Sequence, residues 1–296
     1  MQDLLIEIFY DVDNYCIHFE EYCKSYLLSN DGNKPSFSSS KTLCLSEIMT
    51  ITIYFHLSGY RTFKMYYKQH VCNVLKPYFP KLVSYNRFVE LMQETLLPLL
   101  LYMKRFRTGK CTGISFIDST TLDVCHNRRI YSHKVFKGIA KRGKSSTGWF
   151  YGFKLHLIVS DIGEVISFYL TPGNVDDRNE TVLENLTKEL FGKLFGDRGY
   201  ISQKLYDILY PKGIQLITKV KKNMKNKIMI MKDKLLLRKR AIIETINDHL
   251  KNICQIEHSR HRSFTNFMVN IVAGLVAYSF LPKKPSLKLD KCTAVI

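Results

Sequence analysis

The sequence predicts an α/β fold: a mixed five-stranded sheet flanked by helices and preceded by a helical N-terminal region. Three observations carry that expectation. Up to about residue 110 apolar residues recur at helical spacing, from Gly113 the period shortens to that of strands, and beyond Leu170 helices and strands alternate. The chain has 296 residues, 46% of them hydrophobic, which is enough for one large core and a smaller appended domain and excludes disorder throughout.

The N-terminal pattern divides into segments. Residues 2–28 read as a helix, and Ser29 to Ser40 has the composition of a solvated linker. Ser46 opens a second helix that Gly59 ends, Thr62 starts a third that runs to Pro77, and Ser84 caps a fourth that reaches Met103. Three helices with short connections resemble a helix-turn-helix unit, whose later helix would present Tyr85, Asn86 and Arg87 to a groove. A small bundle that only packs on the rest satisfies the same pattern.

Strands follow. Residues 114–120, 153–159 and 165–170 are short, apolar and β-branched, and Asp161-Ile162-Gly163 makes the last two an antiparallel hairpin. A helix over about 180–190, a fourth strand at Leu194–Asp197, a helix from Ser202 and a fifth strand at Ile214–Thr218 complete the layout. Helices on both faces of a mixed sheet are the expected result.

The formal charge is +18, and 19 Lys and Arg stand against 6 Asp and Glu in residues 201–296. Such an excess attracts a polyanion, nucleic acid first among them. The eight cysteines contain no C-x-x-C pair, which argues against structural zinc. The start Met-Gln-Asp-Leu-Leu-Ile-Glu has no basic region followed by an apolar run, so a cytoplasmic, reducing setting with free thiols is expected. Phe264 to Leu281 is apolar but carries Thr265, Asn266 and Asn270, and reads as a buried helix with no membrane partner.

Two aspartates stand where strands give way. Asp118 is placed at the end of the first strand and Asp197 at the end of the fourth, and ligand sites in such sheets form beyond the carboxyl ends of strands. Like charges at that distance repel unless cations lie between them, which points to divalent metal. A third acid, Glu244, comes from a helix over about 234–253 whose residues Ile243, Ile246, Leu250 and Ile253 form the buried stripe. Arg240, Glu244, Asn247 and Lys251 line the adjacent face, so Glu244 can be aimed at the aspartates while Arg240 and Lys251 reach for phosphates. Taken singly, each aspartate also fits a turn or cap, and Glu244 fits an ordinary i,i+4 ion pair.

The residues that carry a family resemblance are Ile117-Asp118-Ser119-Thr120, Ser132 to Gly138, Gly152-Phe153-Lys154-Leu155-His156, Thr171 to Asp177, Gly196-Asp197-Arg198-Gly199-Tyr200, and Arg240-x3-Glu244-x6-Lys251. On these the chain resembles bacterial insertion-sequence transposases of the ribonuclease-H-like DDE superfamily, most closely insertion-sequence family nine-eight-two, over nearly its whole length. The related signature has a tyrosine at the position of Leu237, so its first position is altered here. The resemblance implies a helical DNA-binding region at 1–110 and a ribonuclease-H-like catalytic domain at 111–296. It implies further that Asp118, Asp197 and Glu244 hold two Mg2+ ions, Mn2+ being a possible substitute. The implied reaction cuts double-stranded DNA at transposon terminal inverted repeats and joins the freed 3′-hydroxyl to target DNA. Pairing two ends calls for a homodimer, and a bacterial cytoplasm with association to the nucleoid is the implied setting.

Between Asp123 and Asp161 there is no acid, while Arg128, Arg129, Lys134, Lys137, Lys141, Arg142 and Lys144 are interspersed with glycines. This reads as a flexible basic loop that holds DNA backbone near the metals, with Trp149 and Phe150 available for stacking or packing. A second basic stretch runs from Lys219 to Arg240, and His258, Arg260, His261 and Arg262 follow. Asp123, Asp176, Asp177 and Glu180 are left outside the metal site, the last three as partners of a helix N-terminus. His156 reads as a core histidine, and Ser119 and Tyr200 as turn or packing residues rather than nucleophiles. Two rival functions remain: a catalytically inactive DNA-binding protein derived from a transposase, and a nuclease acting on RNA–DNA hybrids.

Overall fold

The computed structural model describes residues 2–29, 42–145, 148–219, 229–257 and 261–287. The chain forms two compact units. One takes in the residues up to Arg107 together with Asn252–Phe280, and the other Thr108–Lys251 with the segment from Leu281.

The first unit is helical. Its elements are α1 (Gln2–Ser29), α2 (Leu45–Phe55), α3 (Phe63–Met65, continuing as a π-helix over Tyr66–Val74), α4 (Tyr85–Glu94) and α5 (Leu96–Tyr102). Ser84 caps α4 by accepting from the Arg87 amide, as its position before the apolar run requires. On α4, Asn86 and Arg87 are exposed, with Arg87 paired to Glu90 at 2.8 Å. Buried Ile8, Val12, Ile51, Tyr66, Phe88 and Tyr102 build the core. The linker expected at Ser29–Ser40 lies outside the described residues beyond Ser29.

The C-terminal apolar segment, expected within a 111–296 domain, groups instead with these helices. Ser263 caps it through the Asn266 amide, and it packs against α2, α4 and α5. A helix apolar on all sides needs neighbours on all sides, and from Phe267 to Tyr278 all but one of its residues are buried. Asn270, one of the polar residues within it, donates to the Ile256 carbonyl at 3.2 Å. No described helix is long and apolar enough to cross a membrane.

The second unit is built on one sheet of six strands: β1 (Ile114–Cys125), β2 (Lys141–Ser145), β3 (Gly148–Ser160), β4 (Val165–Pro172), β5 (Gly192–Gly196) and β6 (Ile214–Thr218). β3 runs antiparallel to β1, while β1, β5 and β6 are mutually parallel neighbours. The far edge of β3 is shared, its first residues pairing with β2 and Phe153–Val159 with β4. This order, with one antiparallel strand beside a parallel set, is the ribonuclease-H-like topology. α6 (Glu180–Leu186) and α7 (Gln203–Leu209) cover one face, where Ile117, Leu183, Leu186 and Leu205 share a buried cluster. α8 (Met231–Arg238) and α9 (Ala241–Asp248) follow β6, with α9 against β1; the last described helix, of the first unit, is α10 (Phe264–Ser279).

The sixth strand is the departure from expectation. Residues 141–145 were expected in a loop because of their glycine and charge, yet they form β2. Gly143 allows it: a Cβ there would stand 2.1 Å from the Gly173 carbonyl oxygen, so only glycine lets the strand lie this close. The expected turn between β3 and β4 is present, with Gly163 at φ +81°.

In the helical unit His56 is 2% exposed, and its Nδ1 meets the Cys254 carbonyl oxygen. Burial, and behind it the charge of His261, lowers its pKa from 6.5 to about 4, against the raising effect of that hydrogen bond. Above pH 6.5 both folded and unfolded states are neutral at this site. As pH falls from 6.5 towards 4 the unfolded chain takes up a proton that the folded one refuses, so stability falls. Going from pH 7 to pH 5 should cost about 2 kcal/mol from this group. Urea unfolding at the two pH values should show that loss in the parent and a smaller one in His56→Asn.

Candidate active site

Alternation along β1 sends Asp118 to one face of the sheet and Ser119 to the other. β1 and β5 pair in parallel only as far as Phe116 with Phe195, and those rings stack with centroids 5.5 Å apart. Asp118 and Asp197 each lie two residues beyond that pair, on the side of Phe116 and Phe195. Asp118 is not at a strand end, since β1 continues to Cys125 through its pairing with β3. It is β5 that ends, at Gly196, and this opens the space beside Asp118. Asp197 caps the short turn Arg198–Tyr200, its Oδ1 accepting from the Gly199 amide at 2.8 Å.

Glu244 arrives on α9. The helix expected over 234–253 is interrupted at Lys239–Arg240, between α8 and α9, and α9 gives way to a π-turn at His249–Ile253. Ile243, Ile246 and Leu250 are buried as expected; Ile253 is 45% exposed, because the wider π-turn carries it off the stripe, and Ile242 is buried in addition. The neighbouring face does point at the acids. Asn247 donates to Asp118 Oδ2 at 3.1 Å, Arg240 Nη1 stands 3.6 Å from Asp118 Oδ1, and Arg240 Nη2 donates to Glu244 Oε1 at 2.5 Å.

The electrostatics bind the three acids into one neighbourhood. Burial pushes the Asp118 carboxyl up to about 6; Arg240 opposes the rise, and the charges of Asp197 and Glu244 add to it. One guanidinium thus faces two of the carboxyl groups, Asp118 and Glu244, and Asp118 remains under-compensated. As they stand, no three ligating side chains converge closely enough to enclose a metal ion among the described residues, and Arg240 occupies the space between Asp118 and Glu244. The donor set nevertheless fits a hard divalent cation: oxygen ligands only, excess negative charge, and an Asn247 Oδ1 that is buried without a partner.

Behind the sheet lies a second network that sequence reasoning set aside. Asp177 Oδ1 accepts from Ser119 Oγ at 2.8 Å and from Lys154 Nζ at 3.0 Å, and Lys154 also holds the Val175 carbonyl. His156 is 1% exposed, bonded through Nε2 to Thr171 Oγ1 at 2.9 Å, and burial lowers its pKa. Tyr200 is buried with its hydroxyl unpartnered, and burial followed by the charges of Asp177, Asp118 and Asp197 holds it protonated. Asp177 therefore serves the strand next to Asp118 rather than a helix end. The signal available in the sequence was the alternation of Lys154 and His156 on one strand face.

The basic residues separate by unit. Arg128, Arg129, Lys134, Lys137, Lys141, Arg142 and Lys144 are exposed in the sheet unit, where Lys251 is half-buried. Arg262 is exposed in the helical unit, and Arg260, with His258 and residues 220–228 of the second basic stretch, lies outside the described residues.

Ionising Asp118 works against folding: the penalty is absent below pH 3.8 and complete above pH 6. Asp118→Asn should therefore be more stable than the parent by roughly 2–3 kcal/mol at pH 8 in the presence of a chelator, and the gap should vanish towards pH 4. Denaturant titrations at the two pH values read this directly, and a parent more stable than the variant at pH 8 would contradict it.

Comparison with known proteins gives the family. The family model described as a transposase DDE domain matches residues 108–264, more than half of the chain. No curated protein matches the sequence. The chain also aligns with the crystal structure of the Mos1 strand transfer complex, at 11% identity over 88% of this chain and 83% of that one, but a TM-score of 0.23 is too low to bear on fold or chemistry. On the extent of the family match, the chain belongs to the DDE transposases, a family that depends on divalent metal.

Proposed function

We propose that the chain is a polynucleotidyl transferase that cuts double-stranded DNA at the terminal inverted repeats of an insertion sequence of family nine-eight-two and joins the freed 3′-hydroxyl to target DNA. What supports the reading above all is that the charges of Asp197 and Glu244, from two distant segments, both bear on the buried Asp118 carboxyl, which is held near pKa 6.

Asp118, Asp197 and Glu244 would hold two divalent ions, Mg2+ or its substitute Mn2+, which supply activation of the attacking oxygen and relief of charge on the leaving one. Asn247 keeps the Asp118 carboxylate in a fixed orientation. Arg240, released from Asp118 and Glu244 as the acids change partner, is placed to take a phosphate of the cut strand. Arg128, Arg129, Lys134, Lys137, Lys141, Arg142, Lys144 and Lys251 position the DNA backbone without reading its sequence. Sequence recognition falls to the helix-turn-helix-like region 1–110, with exposed Asn86 and Arg87 on α4, and Arg260 and Arg262 add phosphate contacts. Two ends must be held together, so the working form is a homodimer on DNA in the nucleoid of a bacterial cytoplasm.

A second reading has one observation in its favour. Arg240 already satisfies part of the acid cluster, as it would in a derivative that binds DNA and has given up chemistry. Magnesium separates the two: the enzyme should melt at a higher temperature with millimolar Mg2+, the inactive derivative should not.

Glu244→Gln keeps the size of the side chain and removes its charge. Magnesium-dependent cutting of DNA carrying the element's ends should fall by about a thousandfold or more, the equivalent of several kcal/mol of charge stabilisation. Binding of the same DNA, followed by fluorescence anisotropy, should stay close to that of the parent. Cutting at the parental rate by this variant would refute the assignment.

A further inference from the structure

Trp149 is the sole tryptophan of the chain, and it is 54% exposed on β3. Strand pairing sets Lys144 directly opposite it, with Arg142 one step further along the same face of β2. The Lys144 ammonium lies 5.7 Å and the Arg142 guanidinium 5.0 Å from the ring centroid. The neighbouring Phe150 is buried, so packing on the core is served by Phe150 and leaves the indole facing outward.

The ring forms one wall of a cleft of about 570 Å³, with Arg142, Lys144, Lys154 and Arg198 among its other residues. Its inner side is backbone: Gly143 meets the Gly173 carbonyl, and a Cβ on Gly173 would stand 2.8 Å from the Lys141 carbonyl oxygen. Side chains are thereby kept out, and the cleft stays open. Its two carboxylates are already matched, Asp176 by Arg178 at 2.8 Å and Asp177 by Lys154 at 3.0 Å. Arg142, Lys144 and Arg198 make no ion pair with a carboxylate among the described residues, so three positive charges are left for a ligand. Arg198 directly follows Asp197, which makes one wall of the cleft continuous with the candidate metal site.

An exposed aromatic face beside three uncompensated cations fits a ligand with a flat π-surface and adjoining anionic groups. The bases of an intact duplex are stacked on one another and offer only their edges and the phosphates. An unpaired nucleotide offers both parts, and the cleft has the volume for one or two. We propose that this cleft binds an unpaired DNA nucleotide, its base stacked on Trp149 and its phosphates held by Arg142, Lys144 and Arg198. The choice of DNA as the polymer rests on the function proposed above; the stacking and anion-binding chemistry does not.

Trp149 reports on its own site, because no other residue contributes tryptophan emission. The probes are a twelve-nucleotide single strand, a blunt duplex, duplexes with three-nucleotide 3′ or 5′ overhangs, and a free deoxynucleoside monophosphate. The single strand and at least one overhang duplex should quench Trp149 emission, and the blunt duplex should bind with little quenching. Trp149→Ala should weaken overhang binding about tenfold while blunt-duplex affinity stays within about twofold, and Trp149→Phe should retain most of the parental affinity. Equal quenching by blunt and overhang duplexes would overturn the proposal, as would overhang binding that leaves the emission unchanged. Quenching by the monophosphate alone, with none by the strands, would also overturn it by assigning the cleft to a free nucleotide. Cutting of element ends with Trp149 silent would remove this site and leave the proposed function standing. Quenching by single strands in a chain that never cuts would do the reverse.

Discussion

The candidate site in the sheet unit is arranged around the burial of one carboxyl group. Asp118 sits on an interior strand, under α9, with its side chain 21% exposed. A charge placed there loses most of its water, and at protein dielectric that loss must be met by partners or by a proton. The chain supplies one guanidinium, the Asn247 side-chain amide and the Ser119 backbone N–H, and adds two further carboxyl groups that oppose ionisation. An arrangement selected for stability alone would have removed the acids or doubled the cations. Leaving the deficit in place makes the site a sink for positive charge from outside.

The topology explains how acids from positions 118, 197 and 244 come within reach of one another's field at all. β1 and β5 are parallel neighbours, so equivalent positions on the two strands stay level, and the end of β5 frees the space next to Asp118. α9 crosses the same face, its buried residues fixing the rotation of the helix and hence the direction of Arg240, Glu244 and Asn247. On the other face Asp177, Ser119 and Lys154 tie the loop after β4 to the strand that carries Asp118. The strand is thus fastened from behind while the face that carries Asp118 is left short of countercharge.

Much of this was legible in the sequence, and the failures have physical causes. The parallel pair, the β3–β4 hairpin and the face shared by Arg240, Glu244 and Asn247 follow from period and turn chemistry, which are local. β2 was missed because glycine and lysine disfavour strands on their own, and what makes Lys141–Ser145 a strand is the close backbone approach of Gly143 to Gly173, thirty residues away. The grouping of α10 with the N-terminal helices was missed for a similar reason: an apolar helix announces that it is buried without saying against what. Asp177 was read as serving the helix start that follows it, whereas its partners come from two strands.

Arg240 shows where local rules yield to the site. It stands at the N-terminal boundary of α9, where its own side chain makes no capping bond and where a cation is disfavoured by the positive end of the helix dipole. A capping Ser or Asp would serve the helix better by itself. The cost is offset because the guanidinium faces Asp118 and Glu244, the second of which lies in the first turn and also complements the dipole. Those two carboxylates are among the residues that would hold a divalent ion, and the guanidinium that faces them would then be free for a phosphate. The position that weakens the helix is the one from which Arg240 reaches both carboxylates, and a residue chosen for the helix alone could not do so.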